Sequence, residues 1–312
     1  DMGLLLDVIL PVFVIIGFGY GMAKWGGMSE SMVDALMWFA QSIAVPALLF
    51  RQMALIDLTT SFHPGMIGSF YAGGFLCFAA GFFGAWKLFR RPLEEAVTTG
   101  FACMFSNSLL LGLSITERAY GPAALSGNYA IIAMHSPMFY AFGITLMELV
   151  RSHGQGLSGR ALTVKVVKAI FSQSLVLAIT LGFIVNLSGI ALPSALDAAS
   201  EMLGKAGLPA ALFGLGGVLN RYRPEGDVGL IALIVGVSLV LHPVATYGLA
   251  MLFQLDVASL RSATVTAAMP PGANAYLFAH LYATGRRANA SAVLIATGLS
   301  IFTAWIWLQI LP

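Results

Sequence analysis

Two short stretches hold the residues with the most chemistry in them. The first is Ser106, Asn107 and Ser108, inside "FACMFSNSLLLGLSI". The second runs through Pro270, Pro271, Gly272 and Asn274, inside "AAMPPGANAYLFAHLY". Serine and asparagine side chains bond to nearby backbone and compete with helix. Two successive prolines remove N–H donors and clash with the preceding turn. Each stretch therefore breaks an apolar run near its middle. A broken helix leaves N–H groups unpaired at one new end and carbonyls at the other. The N–H end carries partial positive charge and suits a carboxylate, whereas the carbonyl end suits a cation. The amides of Asn107 and Asn274 can each donate and accept, orienting a ligand without a charge of their own.

The elements that must carry these residues are set by composition. Of the 312 residues 58% are hydrophobic and 10% charged, against roughly 25% charged in soluble domains. The mean hydropathy is +0.86. Apolar runs recur at the roughly 20-residue length that spans a bilayer as helix. Ten segments are expected, near 4–23, 32–54, 64–89, 94–119, 123–150, 162–187, 191–219, 227–253, 258–284 and 288–311. The alternating short strands of a barrel are missing from this pattern. The first run is read as a spanning helix and not as a removed signal. The formal charge of +2 is spread among loops, which excludes a nucleic-acid partner.

Orientation follows from Lys and Arg near the segment ends. Lys24, Lys87, Arg90, Arg91, Arg151, Arg160, Lys165, Lys168, Arg221, Arg223, Arg286 and Arg287 flank the odd-numbered loops. They are twelve of the sixteen basic residues, so these loops are expected in the cytoplasm. Both termini are then outside an inner (plasma) membrane that the chain crosses many times. The central loop, 151–161, leaves no room for a soluble output domain of the kind a receptor carries.

The halves correspond. "VPALLF" from Val45 and "LPAALF" from Leu208 agree in four of five residues from the proline onward. Their offset, 209 minus 46, is 163, and 107 plus 163 is 270. Residues 1–155 and 156–312 thus read as two five-helix repeats. Five is odd, so the second repeat enters the membrane from the opposite side, a frequent plan in secondary transporters. A single midplane break is better read as a kink whose freed groups bond to neighbouring helices. Two breaks at matching places favour a crossing of two interrupted helices.

With these motifs the chain resembles the auxin efflux carrier family. "FSNSLLLGLSI" and "MPPGANAYLFAHLY" resemble that family's paired crossover motifs, and the likeness covers the whole chain. The family includes plant PIN proteins and bacterial permeases of the malonate-transporter type. The resemblance implies an all-α fold of ten transmembrane helices, two inverted repeats with helices 4 and 9 broken, like sodium–proton antiporters and bile-acid symporters. It implies a scaffold of segments one, two, six and seven, about 1–55 and 160–220, through which a homodimer forms. The other six segments, about 62–150 and 226–312, would be the transport domain of an elevator. Asn107 matches the first motif's asparagine, and Pro270–Pro271 match the second motif's proline position. The chain departs where relatives carry a proline after the first motif's glycine: Leu113 and Ser114 follow Gly112.

Other polar groups have plain alternatives. His135 and His242 lie mid-segment and can carry a coupling proton or face an anion; equally, each can be a neutral ring bonded to a carbonyl that a nearby proline frees. Glu201 and Lys205 are spaced to pair on one helix face. Arg51 is expected to reach the headgroups, Glu117 and Arg118 to form a solvated pair, and Asp7 to reach the interface. Cys77 and Cys103 read as buried small hydrophobes. The Gly17-to-Gly21 and Gly214-to-Gly217 runs read as close helix contacts. Trp25, Trp86, Trp305 and Trp307 suit interfacial or lipid-facing positions.

The expected function is secondary transport of small organic anions such as mono- or dicarboxylates or auxin-like acids. The substrate-binding candidates are Ser106, Asn107, Ser108, Pro270, Pro271, Gly272 and Asn274. Asn128, Tyr129 and His135 join them if segment five faces the crossing. No cofactor or metal is called for, and the coupling ion is H+ or Na+, or none in a uniporter driven by membrane potential. Lipid and a second copy are the expected partners. The alternative within transport is a sodium-coupled symporter of the bile-acid type. A membrane-embedded enzyme would need a nucleophile–base pair or a metal set, and the sequence offers neither.

Overall fold

The computed structural model describes residues 1–152 and 158–312. Residues 153–157 of the expected central loop, 151–161, lie outside that description. Among the described residues every regular element is a helix. Besides the short turn Leu58–Ser61, the first half contains α1 Leu4–Lys24, α2 Glu30–Leu55, α3 Pro64–Leu88, α4 Leu93–Met104, α5 Leu113–Tyr120 and α6 Pro122–Arg151. The second half contains α7 Gly159–Phe171, α8 Ser174–Ser188, α9 Ser194–Leu219, α10 Val228–Leu252, α11 Val257–Ala267, α12 Ala273–Leu281 and α13 Arg286–Ile310.

Local chemistry explains several boundaries. Ser29 caps α2 by accepting from Met32 N at 3.3 Å. Asp227 and Asp256 do the same for α10 and α11, each at 3.1 Å. Pro64 opens α3, where a missing N–H does no harm. Gly189 ends α8 in the left-handed conformation, φ 70°. Inside α2 and α10 the chain widens to π-helical turns at Ala40–Ala44 and Val237–Leu241, just before Pro46 and Pro243.

By length and composition α1, α2, α3, α6, α9, α10 and α13 can each cross a membrane. The expected span 162–187 is not one rod: α7 and α8 meet at 86°, and count as an eighth span only if taken together. The reason is in the side chains. Arg160, Lys165 and Lys168 fill α7 with charge that hydrocarbon rejects. The expected spans 94–119 and 258–284 are each divided in two, as α4 with α5 and α11 with α12.

The chain forms two compact units. The smaller comprises Leu10–Ser61 and Lys168–Arg221. Its helices approach closely through glycine: a Cβ on Gly19 would lie 1.8 Å from the Phe213 carbonyl oxygen, and one on Gly216 1.9 Å from that of Ile16. Backbones this near each other leave room only for hydrogen. Glu201 and Lys205 pair at 2.9 Å, as their spacing foretold. Arg51 is corrected: it binds Asp197 at 2.7 Å and lies 3.7 Å from Glu201, instead of reaching outward, because two carboxylates on α9 compete for it.

The larger unit comprises Asp1–Ile9, Phe62–Val167 and Tyr222–Pro312. Phe70, Phe101, Phe139 and Phe278 are fully buried there. Phe101 and Phe278 stack at 4.0 Å, tying α4 to α12. Cys77 and Cys103 are buried and unbridged. Arg118 is also corrected: it donates to the Asp7 carbonyl. A carbonyl within reach offers a guanidinium a fixed partner, whereas Glu117, adjacent in sequence, points elsewhere on the helix.

Candidate functional site

Within the larger unit the two breaks meet. α4 stops at Met104, and Phe105 leaves helical geometry at φ −89°, ψ 87°. Asn107 follows at φ −75°, ψ 64°. Opposite it, Pro270 and Pro271 offer carbonyls but no N–H. The pairing uses what each side has. Asn107 N–H donates to the Pro270 carbonyl at 2.7 Å, and Gly272, the first residue with an N–H after the prolines, donates to the Phe105 carbonyl at 3.3 Å. Ser106 and Pro271 thereby form an isolated antiparallel bridge. Backbone that would otherwise be bare is satisfied by a two-rung ladder between the interrupted helices.

Two helix starts face this crossing. A π-helical turn, Ser108–Gly112, begins directly after Asn107 and runs into α5. α12 begins directly after Gly272. Neither start has a side-chain cap, in contrast to α10 and α11. Each start brings the positive end of a helix dipole beside the ladder, although the Ser108 N–H is already given to the Ser106 carbonyl at 2.8 Å. Asn107 itself is buried, and a Cβ on Gly272 would touch its Cα and Cβ at 3.5 Å.

The remaining candidates fall into three groups. His135, buried on α6, lies with Nε2 3.5 Å from Ser106 Oγ, in a cage of Phe105, Phe139 and Phe70 with ring centroids 4.4, 4.8 and 5.6 Å away. Asn274 stands in the first turn of α12, where its Oδ1 accepts from the Tyr140 hydroxyl at 2.7 Å. Asn128 Nδ2 donates to Thr116 Oγ1 at 2.9 Å and lies 3.5 Å from both the Gly112 carbonyl and Thr266 Oγ1. Tyr129, next to it, is buried on α6. Ser108 is buried at the start of its turn.

His242 is fully buried on α10, with Nε2 3.3 Å from the Phe70 carbonyl. That carbonyl belongs to α3, so the partner is not the group that Pro243 frees. Tyr140 and Asn289 escaped the sequence reading. Tyr140 is one aromatic among many. Asn289 lies near a segment end, yet its offset from Asn128, 289 minus 128 or 161, was a usable signal.

Among the described residues there is no group of His, Cys, Asp and Glu able to hold a metal ion. The side chains gathered around the crossing are neutral amides, serine and tyrosine hydroxyls, and the His135 ring.

Relatives point the same way. An "Uncharacterized transporter YfdV" of Escherichia coli (strain K12) is 23% identical, over 97% of this chain and 96% of its own. A Rhizobium meliloti (strain 1021) protein bearing the name "Putative malonate transporter" is 25% identical, over 95% of this chain and 92% of its own. An "Uncharacterized transporter" of Methanothermobacter thermautotrophicus is 25% identical, over 98% of both chains. The family model described as membrane transport protein matches residues 4–308. A polytopic helical chain with two interrupted segments, matched from end to end, therefore belongs to the membrane transport protein family, that of the auxin efflux carriers.

Proposed function

We propose that this protein is a secondary transporter of small organic anions, mono- or dicarboxylates, and that the carboxylate is held at the crossing of the two interrupted helices. The observation that carries this reading is the ladder between Asn107 and Pro270 with an uncapped helix start on each side of it. A helix N-terminus favours a partly buried anion by up to about 2 kcal/mol, and two are directed here. The side chains of Asn107, Asn274 and Ser108 add donors, and the backbone around Pro271 and Gly272 shapes the floor. Among the described residues no Lys or Arg side chain is placed at the crossing, so the anion would be bound without a permanent ion pair and could leave. The name carried by the Rhizobium meliloti relative supports a dicarboxylate such as malonate as the first compound to try.

The mechanism proposed is alternating access by an elevator. The larger compact unit holds both breaks, which suits a body that carries the cargo; the smaller unit suits a scaffold and the surface of a homodimer. Ten spans in two inverted repeats are the corresponding topology, with α4–α5 and α11–α12 as the crossing pair. The basic residues would place the odd-numbered loops in the cytoplasm and both termini outside the inner membrane.

A thermal-stability screen of the purified protein against mono- and dicarboxylates, with sodium and pH varied, tests the reading. A ligand at a hundred times its Kd adds about 2.7 kcal/mol of apparent stability. Stabilisation by a carboxylate, with uptake of that compound into proteoliposomes, is expected. No stabilisation by any carboxylate, together with no uptake, would overturn it. Dependence of the shift on sodium or on pH identifies the coupling ion.

A further inference from the structure

Asn289 on α13 and Asn128 on α6 do matching work at the crossing. Both are fully buried. Asn289 Nδ2 donates to the Thr98 carbonyl at 3.1 Å and the Ala275 carbonyl at 3.0 Å. Those carbonyls belong to α4 and α12. Asn128 Nδ2 reaches Thr116 Oγ1 on α5, the Gly112 carbonyl just before it, and Thr266 Oγ1 on α11. So one asparagine joins α4 to α12, the other joins α5 to α11, and each half-helix is held once. Their separation of 161 is close to the 163 that relates Asn107 to Pro270.

The direction of each amide is forced. Backbone carbonyls only accept, and the Thr266 hydroxyl already donates to the Ser262 carbonyl at 2.6 Å. The nitrogen must therefore face these acceptors, which turns the oxygen the other way. Among the described residues neither Asn128 Oδ1 nor Asn289 Oδ1 has a hydrogen-bond partner. An unpaired buried oxygen is unfavourable, and a leucine of similar size would avoid it. That two buried asparagines both bear this penalty points to the contacts of their N–H groups, not to the stability of the core.

We propose that Asn128 and Asn289 are a symmetric pair of positioning residues that clamp the four half-helices and so hold the Asn107–Pro270 ladder in register. That the clamped crossing handles a carboxylate rests on the function proposed above; the clamp itself does not. Asn128 thereby acts through the helices it joins and need not touch the cargo.

Hydrogen exchange on the full chain in detergent, without substrate, tests the clamp. In Asn128→Leu and in Asn289→Leu the amides of Asn107 and Gly272 should exchange at least about tenfold faster than in the wild type, with α3 and α10 as protected as before and an unchanged melting temperature. Asn128→Ala and Asn289→Ala give the same local readout if a leucine variant does not fold. Wild-type protection at the crossing in variants at both positions would overturn the proposal. So would a loss of protection spread evenly over every helix, which marks an ordinary core residue. A failure of all carboxylates to bind the wild type would sink the anion reading and leave this measurement intact. If both hold, KM for malonate uptake rises in each variant at unchanged amounts of folded protein.

Discussion

The N–H of Asn107 and the carbonyl of Pro270, 163 positions apart in the chain, meet at 2.7 Å. The bond joins a residue that can donate to one that can only accept, and both are buried. It also puts the Asn107 side chain at the start of one helix and beside the start of another. A carboxylate bound there gains a charge-assisted hydrogen bond, worth about 1.5–3 kcal/mol.

Asn107→Ala should therefore lower malonate kcat/KM in proteoliposomes at least about tenfold. The backbone ladder uses main-chain atoms only, so the variant should keep the wild-type melting temperature and membrane yield. Full transport by a folded Asn107→Ala protein would move the site elsewhere.

In the proposed site, Tyr140 would set which face of Asn274 is left for an anion. Its hydroxyl donates to Asn274 Oδ1, so Nδ2 remains the donor for cargo. Tyr140→Phe should raise KM about fivefold, the loss of roughly 1 kcal/mol from one neutral hydrogen bond, with kcat little changed. Competition by malonate against a labelled substrate measures it, and an unaltered KM would show that Asn274 does not need orienting.

The glycines of α1 divide into two kinds. A Cβ on Gly19 would overlap the Phe213 carbonyl, whereas one on Gly17 would meet nothing within 4 Å. Gly19→Ala should destabilise the protein by about 3 kcal/mol or prevent folding, and Gly17→Ala should be tolerated. Detergent melting curves of the two variants decide the matter, and equal midpoints would refute the close contact between α1 and α9.

Asp256 links the stability of α11 to acid. Its carboxyl accepts from Ser259, side chain and backbone, which holds its pKa below the usual 3.8. A depressed folded-state pKa contributes stability that is complete above the unfolded value and fades as pH falls through the folded one. Asp256→Ala should thus be less stable than the wild type at neutral pH, with the gap narrowing below about pH 4. A gap that is constant from neutral pH down to pH 3 would remove the carboxylate from the account.

Much of this protein could be read from local signals. Where hydrocarbon forbids charge, a 10% charged content decides for membrane helices. Ser106 to Ser108 and Pro270 to Gly272 announce their own breaks, because backbone donors and helix sterics are properties of a few adjacent residues. The Glu201–Lys205 pair follows from helical periodicity in the same way, whereas of the expected Gly17-to-Gly21 contact run Gly19 meets a neighbouring backbone and Gly17 meets nothing. The 86° bend between α7 and α8 was also written in Lys165 and Lys168, but the apolar count over the whole window masked it.

Partners across long separations were not legible. Nothing near Arg51 in the sequence says that it meets Asp197, and nothing near Asn128 says that it turns to Thr116 and Thr266. Tyr140 and Asn289 carry no local mark of their roles. The sequence alone determined the solvent this chain folds in, the kind of element it builds and the points at which two elements fail. Tertiary structure decided that the failures face each other and which buried amides hold them there, because a hydrogen bond is directional over about 3 Å and only packing brings distant donors and acceptors that close.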